Sequence, residues 1–178
     1  MIGKNRLGIQ LYTPTGVVFD NDQNMFVADY SNHRIVEWKF NSTNGQVVFG
    51  EDQNLLKYPV DMIIDKEDNS VIIADQGNRR VIRWRREIRG DPDILISDID
   101  CFGITMDKTG NLYVADYKKN VVKRWKKGSN EGTIVVGGNG KGEKCNQLNS
   151  PRGLSFDEHG NLYVIDHGND RIQKFEIN

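Results

Sequence analysis

The chain has 178 residues, 37% hydrophobic and 28% charged, the balance of a globular protein with enough apolar material for one core. Its 24 Lys and Arg against 25 Asp and Glu leave a net charge of −1, so no whole-molecule field draws in nucleic acid or an anionic membrane. No window approaches the roughly 18 consecutive apolar residues that span a bilayer, and the opening MIGKNRLGIQ lacks a signal-peptide core, so the expectation is a soluble, cytoplasmic chain without a membrane partner.

Taken in chain order, the sequence repeats itself. A first unit runs from Pro14 to Phe40: PTGVVFD ends at Asp20, a turn follows, MFVAD ends at Asp29, and RIVEWKF alternates apolar with charged positions. A divergent fourth run, QVVFG, closes it at Gly50. The second unit runs from Pro59 to Arg85 with DILIS at 93–97, the third from Cys101 to Lys127 with TIVVGG at 133–138, and the fourth from Pro151 to Ile177. The second runs are rich in aromatic and β-branched residues, and Gly in the later turns supplies the positive φ of a tight hairpin. Asp29, Asp75, Asp116 and Asp166 mark the same place, 46, 41 and 50 residues apart.

Four antiparallel strands in a unit of about 45 residues describe a propeller blade. The expected fold is therefore an all-β β-propeller forming a single domain over 1–178, with blades at about 14–50, 59–97, 101–138 and 151–178. The last blade runs out before a fourth strand, for which Ile2 and Gly3 are candidates to supply a remnant. Four blades either form a compact ring or belong to a larger one, which makes self-association to complete a ring one expectation.

Each unit ends its second strand on an Asp, and three place an Arg five residues on: Asp29 with Arg34, Asp75 with Arg80, Asp166 with Arg171. Across a tight hairpin these ends are neighbours, so charge-assisted pairs are expected, with Asn32, Asn78 and Asn169 bonding the turn between them. Nine residues after each Asp stands a large aromatic, Trp38, Trp84, Trp125 or Phe175, read as packing between blades.

The phrases ADYSNHRI, ADQGNRRV and IDHGNDRI resemble the NHL repeats, and the resemblance extends over nearly all of the chain. The third copy, ADYKKNVV, carries Lys119 in place of the Asn and Val121 in place of the Arg, so its hairpin network around Asp116 should differ. The resemblance implies a β-propeller, most often six-bladed, that binds proteins or RNA. It also implies kinship with the propellers of tripartite-motif ubiquitin ligases, where the domain selects substrate; with no Cys-rich zinc motif, this chain would be the recognition part alone.

Catalytic constellations are missing from the pattern. His33, His159 and His167 are not spaced as a metal set, no Gly-x-Ser-x-Gly or phosphate loop occurs, and GGNGKGEK at 137–144 reads as an inter-blade loop. The acidic turns DNDQN and DKEDN lack EF-hand spacing and read as solvated hairpins. Cys101 and Cys145 read as small thiols, and no metal or cofactor is expected.

The leading expectation is a noncatalytic module that binds a protein partner through blade-end loops, with Tyr30, His33, Arg79, Tyr117, Lys118, Lys119 and His167 as candidate contacts. A second is RNA binding through a basic sector at Arg83, Arg85, Arg124 and Lys126, weighed against a solvated rim paired with Glu87, Asp91 and Asp93. A third is a propeller hydrolase or lyase with a bound metal.

Overall fold

A computed structural model describes residues 9–50, 55–86, 88 and 90–177. Blade one consists of β1 (Pro14–Phe19), β2 (Met25–Asp29), β3 (Arg34–Trp38) and β4 (Gly45–Phe49). Blade two follows as β5 (Pro59–Ile64), β6 (Val71–Asp75), β7 (Arg80–Trp84) and β8 (Asp93–Ser97), and blade three as β9 (Cys101–Met106), β10 (Leu112–Asp116), β11 (Val121–Trp125) and β12 (Gly132–Gly137). Blade four has β13 (Pro151–Phe156), β14 (Asn161–Asp166) and β15 (Arg171–Glu176). Each is an antiparallel meander in sequence order, three four-stranded and the last three-stranded among the described residues. The expected four-strand count thus stops one short in blade four, and the candidate remnant at Ile2 and Gly3 lies outside the described residues.

The chain divides into two compact units, Met1–Leu95 and Ile96–Asn178. In the first, the apolar positions of blade one (Phe26, Ala28, Ile35, Phe49) pack on Met62, Val71, Ile73, Ile82 and Trp84 of blade two. In the second, Tyr113, Val122 and Val136 of blade three meet Leu162 and Val164 of blade four, with Leu154, Phe156 and Phe175 at the margin. Strict alternation is why this works: successive side chains of a strand point to opposite faces, so each blade offers one apolar face forwards and one back.

At Trp84 and Phe175 the repeated aromatic packs between blades, as expected. Trp84 stacks on Phe49 of the preceding blade with centroids 5.1 Å apart. Trp38 and Trp125 also lie against the outermost strand of their own blades, where any side chain on Gly45 or Gly132 would fall within 2.6 and 2.4 Å of the indole. That close approach is what demands glycine there.

The β1–β2 type of turn is more ordered than its acidic composition suggests. Asp20 Oδ1 accepts the backbone N–H of Asp22 and Asn24, and its Oδ2 accepts the Asn24 amide at 3.0 Å. Asp107 with Asn111 and Asp157 with Asn161 repeat the arrangement. The Asn carbonyl oxygens of Asn24 and Asn111 then accept the backbone N–H of Phe40 and Lys127 just beyond the third strand. These acids are structural turn-formers instead of solvated hairpin residues.

Candidate binding surface

Three hairpins are clamped by the repeated phrase. Asp29 is fully buried; its Oδ2 accepts Asn32 Nδ2 and Arg34 Nε, both at 2.8 Å, and its Oδ1 accepts the backbone N–H of Tyr12. Asp75 receives Asn78, Arg80 and the Lys57 N–H, and Asp166 receives Asn169, Arg171 and the Asn149 N–H. Each Arg reaches on to a carbonyl of the linker entering its blade: Gln10, Leu55 or Gln147. Burial pushes the Asp166 carboxyl up, but the bonds from Asn149, Asn169 and Arg171 outweigh it and hold the group below its ordinary value. The Arg thus ties hairpin to linker and fixes where the loop surface lies.

Blade three departs as its sequence implies. Asp116 is equally buried, yet among the described residues only the Lys119 N–H bonds its Oδ1, and its Oδ2 has no hydrogen-bond partner. The Lys119 ammonium stands 3.9 Å away. Val121 is buried where the other blades carry Arg. The linker is held instead by Lys118 Nζ on Asp100 Oδ1 at 2.9 Å and by the Tyr117 N–H on the Asp100 carbonyl.

On these clamped ends sit aromatic clusters. In the first unit Tyr30 packs against Tyr58, with centroids 5.0 Å apart, and His33 meets the same ring edge-on at 4.3 Å. His33 occupies the left-handed region, φ 58°, and its Nδ1 accepts the Tyr58 N–H at 3.0 Å, tying hairpin one to the start of blade two. The Tyr30 hydroxyl donates to Gln76 on the next hairpin. Tyr12, beside them in sequence at the Asp29 clamp, is exposed. In the second unit Phe102 meets Tyr117 edge-on, Arg152 lies over Phe102 at 4.8 Å, and Lys118 sits 5.8 Å from the Tyr117 ring. Asn120, with φ 57°, accepts the Ser150 N–H as His33 does that of Tyr58.

Of the predicted contacts, Tyr30, His33 and Arg79 fall in the first unit, and Tyr117, Lys118, Lys119 and His167 in the second. Tyr30 and His33 come together through Tyr58; Tyr117 and Lys118 through Phe102 and Asp100. Arg79 and His167 are exposed on their own turns. Lys119 is exposed, with its ammonium 3.9 Å from Asp116. Tyr58, Phe102 and Arg152 escaped the sequence reading because they lie outside the repeated phrase, on linkers and first strands. Their one signal is position: each stands immediately before, or second in, a blade's opening strand.

The basic sector is largely neutralised. Arg83 bonds Asp65 and Asp68, and Arg85 bonds Asp93. Arg86 is drawn across to blade one, 2.7 Å from Asp20 and 5.0 Å over the Phe26 ring. Asp93 was an expected partner; Asp65 and Asp68 were not, and Glu87 lies outside the described residues. Arg124 is half-buried and Lys126 exposed. Among the described residues no three His, Cys, Asp or Glu side chains gather as a metal set, and no helix is long and apolar enough to cross a membrane.

The family profile described as NHL repeat matches residues 11–38 and 148–175, which carry the clamps of blades one and four. These two segments are NHL repeats, and the fold is an all-β β-propeller. No curated protein matches it in sequence. Among solved structures it is similar to a streptogramin B lyase, at 12% identity and TM-score 0.70, covering 96% of this chain and 57% of that one. It is also similar to a chain of a nidogen/laminin complex, at 18% identity and TM-score 0.70, covering 98% and 69%. A third is an auxiliary nutrient binding protein from Bacteroides ovatus ATCC 8483, at 13% identity and TM-score 0.73, covering 95% and 49%. At these identities the likeness is one of fold. The chain spans about half to two thirds of the length of these neighbours.

Proposed function

We propose that this NHL propeller is a noncatalytic recognition module whose blade-end aromatic clusters bind a protein partner. The observation that carries the reading is the cluster of Tyr30, His33 and Tyr58, half-exposed aromatic side chains held by the clamped hairpin of blade one. Rigid, amphipathic rings lose little conformational entropy on binding, which is why Tyr and Arg dominate interface hot spots. The second unit offers a similar set in Tyr117, Phe102 and Arg152. Propellers of this family mediate interactions in general, and the role in substrate selection suggested by the tripartite-motif resemblance belongs to this reading. Pairing of Arg83 and Arg85 with carboxylates leaves RNA binding with less free charge than the sequence suggests.

The test is a capture experiment with the purified chain and with two variants, Tyr30→Ala/Tyr58→Ala and Tyr117→Ala/Lys118→Ala, all shown by circular dichroism to be folded. Proteins held by the parent and lost by either variant support the reading. An identical retained set from all three removes the blade ends as the binding surface. Retention of RNA that falls steeply with salt would favour the basic sector instead.

A further inference from the structure

The arginines of the repeats are committed within the fold. Arg34, Arg80 and Arg171 clamp the hairpins, and Arg83, Arg85 and Arg86 bond carboxylates. Arg152 differs. It is exposed, its guanidinium lies 4.8 Å over the Phe102 ring, and no carboxylate among the described residues pairs with it. Its place in the blade does not call for a charge: second in β13, it stands where β5 has Val60, 3% exposed, and where β9 has Phe102. The backbone there is fixed, because the Arg152 carbonyl oxygen fills the space that a Cβ on Gly103 would need, so the opening strands of blades three and four meet closely at that point. Phe102 in turn meets Tyr117 edge-on at 6.2 Å, and the Lys118 ammonium, 5.8 Å from the Tyr117 ring, is bonded to Asp100 at 2.9 Å.

We infer that Arg152 determines what this blade-end surface accepts, its guanidinium taking a carboxylate from an acidic segment of the protein partner while Phe102 and Tyr117 take an apolar side chain beside that carboxylate. The inference rests on the recognition role proposed above and names the chemistry of what is recognised.

The contact with Phe102 suits the guanidinium to this task. A guanidinium is weakly hydrated, and one whose face lies over an aromatic ring has already given up part of its water, so less is lost when its N–H edge meets a ligand. A carboxylate matches that edge with two parallel N–H···O bonds, a fork that a lysine ammonium cannot offer. Phe102 and Tyr117 are half-buried and already packed on one another, so they add apolar contact area at little cost in side-chain entropy.

The surrounding charges favour a peptide over nucleic acid. Lys118 is paired with Asp100, and Lys119 stands beside Asp116, so the charge left uncompensated in this cluster is that of Arg152. A nucleic-acid backbone is held by several unpaired cations in a row, whereas one fork suits one carboxylate. The cluster of the first unit is built differently. Its rings, Tyr30, His33 and Tyr58, lie beside the uncharged Gln76, and the place of Arg152 is taken by Val60, so that cluster carries no comparable preference for acid.

Panning a random peptide library on the purified chain tests the inference. The pool held by the parent is expected to be rich in Asp and Glu, and a synthetic peptide taken from it should bind Arg152→Ala about tenfold or more weakly. Arg152→Glu, at the same exposed side chain, should turn the selected pool from acidic to basic, a change that loss of folding cannot produce. Tyr30→Ala/Tyr58→Ala should leave the acidic pool as it was. A parent that retains no peptides, a retained pool without acidic enrichment, or an acidic pool that Arg152→Ala binds equally well would each overturn the inference. A pool without acidic preference that is lost with Tyr117→Ala/Lys118→Ala would overturn it while leaving blade-end recognition standing, which tells the two failures apart.

Discussion

The hairpins of blades two and three begin from the same residue and reach different ends. In both, the carboxylate closing the second strand is fully buried. In blade two, Asp75 accepts Lys57 N–H, Asn78 and Arg80, and the Arg goes on to the Leu55 carbonyl. In blade three, Asp116 accepts Lys119 N–H, its second oxygen goes unbonded, and the nearest cation is a lysine 3.9 Å away. The comparison teaches that the repeated Asp is not itself a stabiliser. A buried carboxylate costs free energy unless its partners return it, and the partners are the Asn and Arg that blade three has lost.

The largest effect should follow from taking blade two's cation away. Arg80→Ala leaves Asp75 buried with no countercharge and is expected to lose about 3 kcal/mol in urea unfolding. A loss within the scatter of surface substitutions would show the clamp to be ornamental. In the reverse direction, Lys119→Asn/Val121→Arg rebuilds the clamp in blade three and should gain about 1–2 kcal/mol, with the Asp116 carboxyl newly bonded at both oxygens. No gain would mean that the blade-three linker, held through Lys118 and Asp100, cannot accept the Arg.

Acid sharpens the comparison from blade four. There the bond from Asn161, against some desolvation and helped by the N–H groups of Asn161 and His159, holds Asp157 down to about 2, and Asp166 is also held below its ordinary value. Groups depressed in the folded state contribute stability that is complete above their unfolded pKa of about 4 and is lost as pH falls through the folded value. Stability should therefore decline between about pH 4 and 2, and Asp157→Asn should flatten part of that slope. A profile unchanged by the substitution would remove Asp157 from the account.

The strands, the Asp–Asn–Arg clamps and the aromatic joints were legible because each depends on residues close in sequence and recurs in at least three of the four blades. The bonds of Asp20 to Asn24 were not, since an acidic turn looks the same whether its carboxylate faces water or its own backbone. The pairing of Arg83 with Asp65 spans three strands: Arg83 lies opposite Ile72, which lies opposite Ile63, so the contact needs the register of the whole blade. Tyr58 and Phe102 were invisible as site residues for a similar reason. Their meaning comes from the hairpin of a neighbouring element, His33 with Tyr30 in one case and Tyr117 in the other.

The most direct test of the claim about the repeated Asp is to make the same neutralising substitution in both blades and compare urea unfolding. Asp75→Asn should lose about 2 kcal/mol or more, because three donors lose their charged acceptor. Asp116→Asn, which removes a buried charge that has only one bond to its backbone, should change stability by no more than about 0.5 kcal/mol. Equal losses at the two positions would contradict the account, because they would show that the Asp stabilises its hairpin whether or not the clamp around it is complete.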